Sequence, residues 1–168
     1  DISGTNTGDF SDVAKVCRKL KDVPLRAGHV TVGKVDLPEL VSFTIESGSL
    51  SKDAIKDVGA MKAPKLEKLH VWTGSENYGA SGGVKDLKPI LDGAFPKLTD
   101  LGIMNCEFVN EAVEALTKSK VLPKLKTLDL SMGCLTDDTV SKMAASGAFA
   151  HLEELNLDDN GLSAVTLP

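Results

Sequence analysis

The chain has 168 residues, enough for one well-filled core, and its 42% hydrophobic and 26% charged residues are the balance of a folded domain. A formal net charge of −5 leaves no basic face for nucleic acid, and no apolar run approaches the ~20 residues that a membrane helix needs. Three cysteines are an odd set, which speaks against a disulfide framework and for a reducing, cytoplasmic setting. Aromatics are scarce, so any core must be built from Leu, Val, Ile and Ala.

In chain order, residues 1–8 are polar and turn-rich and read as a flexible tail. Phe10, Val13, Val16, Cys17 and Leu20 follow at helical spacing, with Asp9 or Ser11 able to cap the start. This helix opens an irregular N-terminal capping unit over 9–36, whose strand is expected at Val23-Pro-Leu25. A regular pattern then begins and runs through the array at 37–168. Leu40, Phe43, Ile45, Gly48 and Leu50 fit L-x-x-L-x-L-x-x-N/C-x-L, with glycine where the template has Asn or Cys. Ile55, Val58 and Met61 then mark a helix. Leu66, Leu69 and Val71 open the next unit, which is interrupted at 72–84 by a Gly- and Ser-rich stretch about six residues longer than its counterpart. A helix is expected at 85–91. Leu98, Leu101, Ile103, Cys106 and Phe108 restart the pattern, with a helix carrying Ala112, Val113 and Leu116. Leu125, Leu128, Leu130, Gly133 and Leu135 repeat it, with a helix carrying Val140, Met143 and Ala144 capped by Thr136 or Asp137. Leu152, Leu155, Leu157, Asn160 and Leu162 match it in full. The leading leucines at 98, 125 and 152 are two equal steps apart.

Two periods explain the pattern. Leu128 and Leu130 alternate, so both face one side of a short strand. The apolar residues after them recur every three or four positions, as one helix face requires. A parallel return needs a crossover, here the helix. The expected fold is an α/β solenoid, a horseshoe segment with parallel strands on the concave face and helices on the convex face. One unit has nothing to bury its leucines against, so several must stack.

These units resemble leucine-rich repeats, and the equal step with a helical second half is similar to the ribonuclease-inhibitor-like subclass, including bacterial repeat proteins of unknown role. The resemblance spans about residues 20–163. It implies a non-catalytic protein–protein interaction scaffold that recognises a partner through the concave sheet, and it implies no reaction.

The strand positions that face away from the core form three columns. Ser42, Lys68, Asp100, Thr127 and Glu154 make the first, Thr44, His70, Gly102, Asp129 and Asn156 the second, and Glu46, Trp72, Met104, Ser131 and Asp158 the third. Trp72 is the only tryptophan and Tyr78 the only tyrosine. Trp72, His70 and Met104 suit an adaptable apolar anchor, and Tyr78 stands on the inserted loop. Asp129, Glu153, Glu154, Asp158 and Asp159 make one end acidic, suited to a basic partner or to a solvated surface. The candidate partner-binding residues are Trp72, His70, Tyr78, Met104, Lys68, Asp100, Asp129, Glu154 and Asp158.

Gly79 to Lys85 fails the phosphate-loop template, because Val84 separates Gly83 from Lys85. Cys106 and Cys134 read as small buried groups at turns, and Cys17 as part of a helix's apolar face. His29, His70 and His151 are scattered, with no catalytic or zinc spacing. No cofactor and no metal are expected. Two other functions fit the same residues: a targeting or regulatory module of a larger enzyme, and a small-molecule or carbohydrate module using Trp72 and Tyr78. An exposed flank at Ala164–Pro168 would also permit dimerisation.

Overall fold

The computed structural model describes residues 4–163. In chain order these form β1 (Asn6–Asp9), α1 (Phe10–Val16), β2 (Asp22–Arg26), β3 (His29–Thr31), β4 (Ser42–Glu46), α2 (Lys52–Gly59), β5 (Lys68–Gly74), α3 (Lys88–Leu91), β6 (Asp100–Cys106), α4 (Val109–Thr117), β7 (Thr127–Asp129), α5 (Asp137–Ser146) and β8 (Glu154–Asn156). Six strands make one sheet in the order β2-β4-β5-β6-β7-β8, with every neighbouring pair parallel. The fold is an α/β repeat.

The template leucines explain the register. Val23, Phe43, Leu69, Leu101, Leu128 and Leu155 lie in one row across the sheet. Leu25, Ile45, Val71 and Ile103 make a second row. With a side-chain period of two, both rows point to the same side. There all of them but the exposed Leu155 share one core with Ala54, Ile55 and Val58 of α2, Ala112, Val113 and Leu116 of α4, and Val140 and Met143 of α5. Fully burying such a side chain is worth roughly 1.5–3 kcal/mol, and each repeat gains it only from its neighbours.

Several local expectations change. Asn6–Asp9, in the stretch read as a flexible tail, pairs in parallel with β3. β2 continues the ladder, Asp22 to Arg26 opposite Ser42 to Glu46. Pro24 is tolerated there because β2 is an edge strand. Ala27 N–H donates to Glu46 O, so by alternation the odd residues of β2 donate toward β4 and the missing donor of Pro24 falls on the outer side. In α1 the buried residues are Phe10, Ser11 and Ala14. Phe10 meets the Phe43 ring at 6.0 Å, which turns Val13, Val16 and Cys17 outward. The helix expected at 85–91 splits into a 3₁₀ turn, Val84–Leu87, and a single α turn. Pro89 has no N–H to give to the carbonyl of Lys85. Ala144 of α5 is exposed.

The N/C column stacks one turn on the next. Gly74 has φ +80°, and a Cβ there would lie 2.2 Å from Gly48 O. The next residue, Ser75, donates its N–H to that oxygen at 3.0 Å. At Gly133 a Cβ would crowd the Asn160 Oδ1 at 2.9 Å. That space lets Asn160 accept from Leu135 N–H at 3.0 Å while its Nδ2 donates to Leu130 O at 2.8 Å and Leu157 O at 2.9 Å. Glycine thus admits close stacking where the template has a hydrogen-bonding side chain.

Candidate strand-face site

The side of the sheet away from the core carries the columns read from sequence. Pro24, Thr44, His70, Gly102, Asp129 and Asn156 form the middle row. Asp22, Ser42, Lys68, Asp100, Thr127 and Glu154 form the row before it. In the third row Trp72 pairs with Met104. β7 and β8 stop short of this row, so Ser131 and Asp158 lie in the following turns. Asp158 is exposed, whereas Ser131 is buried. Its burial corrects the expectation of an outward side chain.

His70 is the hub. Its Nε2 is 2.7 Å from Asp100 Oδ1, which pins the ring across the neighbouring strand. The ring takes the space that Gly102 leaves: a Cβ on Gly102 would lie 2.9 Å from His70 Cγ and 3.0 Å from Met104 Sδ. His70, Met104 and the half-buried Trp72 therefore occupy adjacent positions on two strands. The sequence places Gly102 in the middle column, but its role in seating His70 is absent from the candidate residues. A glycine inside a strand marks a close approach by another group, and that was the available signal.

Asp129 is likewise held. Its Oδ1 accepts from Ser131 N–H at 2.9 Å and its Oδ2 from Asn156 Nδ2 at 3.1 Å. Glu154 and Asp158 are exposed, and Lys68 is half-buried beside Asp100. Arg26 is drawn to Glu46 at 3.4 Å, at the opposite edge of the face.

The inserted loop is tied down on both sides. Ser75 N–H reaches Gly48 O, Ser81 N–H reaches Leu50 O at 3.3 Å, and Lys52 N–H reaches Ser81 Oγ at 3.1 Å. On the other side Glu76 N–H reaches Glu107 Oε2 at 2.9 Å. Hydrogen bonds from the Ser75 hydroxyl and that amide hold the Glu107 carboxyl below the usual range. Beneath the loop lies a cavity of about 220 Å³ lined by Thr73, Gly74, Glu76, Ala80, Gly82, Gly83, Glu107, Phe108 and Glu111, and Trp72 is not part of it. Tyr78 is 73% exposed at the loop's short 3₁₀ turn. Among the described residues the aromatic ring contact is that of Phe10 with Phe43. Trp72 and Tyr78 do not stack on each other.

The cysteines differ in setting. Burial pushes the Cys106 thiol up to about 11, so it stays protonated at neutral pH. Cys134 is exposed, contrary to the buried position expected, and its Sγ donates to Glu107 O at 2.9 Å. Among the described residues no group of His, Cys, Asp and Glu is arranged to hold a metal ion. Among them, too, no helix is long and apolar enough to cross a membrane.

Residues 121–144 match a family model described as Leucine Rich repeat. Among solved structures, the chain is similar to a protein from Bacteroides fragilis, with a TM-score of 0.86 and 31% sequence identity over 94% of this chain. It spans 46% of that protein, about half its length. No curated protein matches the chain.

Proposed function

Because this chain is a leucine-rich-repeat protein, we propose that it is a non-catalytic scaffold that holds a protein partner against the open face of its sheet, with the 72–84 loop as one rim. Leucine-rich repeats commonly mediate protein–protein contact and are generally not enzymes. On this reading the repeats wind as a solenoid, with strands lining the concave side and helices on the convex side.

One observation carries the proposal. Trp72 and Met104 stand side by side in register on the sheet face opposite the shared core. A tryptophan presented on a rigid strand is the kind of residue that dominates interface energetics. The inserted loop is fixed by hydrogen bonds at both ends, so it would present Tyr78 at little entropic cost.

The test is affinity capture from native lysate, wild type beside a Trp72→Ala/Tyr78→Ala variant, read by mass spectrometry. A hot-spot loss of about 2 kcal/mol or more would remove the partner from the variant's eluate. Equal recovery by both proteins would overturn the assignment of the face.

A further inference from the structure

We propose that the strand face selects a basic partner segment: an extended stretch with an apolar side chain seated on Trp72 and Met104, and lysine or arginine side chains reaching the carboxylates of β6 to β8. The proposal rests on the strand-face reading above and deepens it.

The charge of the face is uneven. Toward β2 and β4, Asp22, Arg26 and Glu46 are mixed, and Arg26 is drawn to Glu46. Lys68 lies at the near end of β5 beside Asp100. Beyond it the charged residues of the face are Asp100, Asp129, Glu154 and Asp158, all of one sign. A surface of one sign next to an apolar anchor attracts the opposite charge and repels its own.

Two of these carboxylates are already oriented. Asp129 is held by Ser131 N–H and Asn156 Nδ2, and Asp100 by His70. Each carboxylate oxygen has two lone pairs, so a carboxylate fixed by such bonds retains acceptor capacity for a guanidinium or ammonium. The same hydrogen bond that fixes Asp100 fixes the His70 ring against Met104 and Gly102. The apolar anchor and the start of the acidic stretch are therefore one rigid unit.

The test pans a random-sequence peptide library on the full chain, then measures affinities of enriched peptides. Two isosteric variants are compared with wild type, Glu154→Gln/Asp158→Asn and Asp129→Asn. The first pair is exposed, which keeps its folding out of question. Trp72→Ala/Met104→Ala is the control for the face. The expected result is a pool rich in Lys and Arg beside an apolar residue, bound at least tenfold more weakly by the charge variants and weakened by salt. A neutral or acidic pool that still needs Trp72 overturns the basic partner and leaves the strand-face reading standing. Peptides that bind the Trp72→Ala/Met104→Ala variant as well as wild type, or no enrichment, overturn both.

Discussion

At the scale of single residues, equivalent positions of the repeat are unequal in value. Leu128 is fully buried in mid-sheet, whereas Leu155, its partner in the same row, is 42% exposed on β8. Leu128→Ala should cost about 2–5 kcal/mol in urea unfolding, and Leu155→Ala clearly less, because its site is already half open to water. Asn160 is the other sensitive position. It satisfies Leu135 N–H, Leu130 O and Leu157 O together. Asn160→Ala strands buried backbone groups, and a loss of about 1–3 kcal/mol is expected. Tyr78→Ala, at a 73% exposed side chain, should stay within about 0.5 kcal/mol of wild type. A larger loss would mean that the tyrosine supports the loop.

At the scale of elements, the inserted loop gives a pH-dependent prediction. The Glu107 carboxyl is held below the ordinary carboxylate range by hydrogen bonds from the Ser75 hydroxyl and the Glu76 amide of the loop. A carboxyl lowered on folding stabilises the folded form above its unfolded pKa and loses that contribution as pH falls through the lowered value. Amide exchange at Glu76, whose N–H is the partner, should therefore lose protection selectively on acidification below about 4.5. Glu107→Gln should remove the pH dependence. The strands and outward columns are legible in the sequence because Leu, Val, Ile and Phe recur at fixed template offsets. The face of α1 is not legible, since Phe10, Val13, Val16 and Cys17 are all apolar. Only the contact with Phe43 selects among them. The loop's tethers are equally hidden, because two of them end on the backbone oxygens of Gly48 and Leu50, which carry no sequence signal. The apolar patch was half visible: Trp72 and Met104 announce themselves by type, while the space at Gly102 that seats His70 is a three-dimensional fact.

At the scale of the molecule, each repeat contacts its neighbours and stability is a chain of local interfaces. The seven-residue strands β5 and β6 share the most extended register, and β7 and β8 are three residues each. Hydrogen exchange read by mass spectrometry should show the strongest protection at β5 and β6, declining to β8. Uniform protection would mean that the array opens as one unit. The two borders of the sheet also differ. At β2, Pro24 withholds the donor that an arriving strand would meet at the middle of the outer side, whereas every residue of β8 keeps its N–H. Stacking copies end to end in a fibre would need both borders to accept a strand. With the β2 border blunted, head-to-tail polymerisation through that edge is disfavoured by a single pyrrolidine ring.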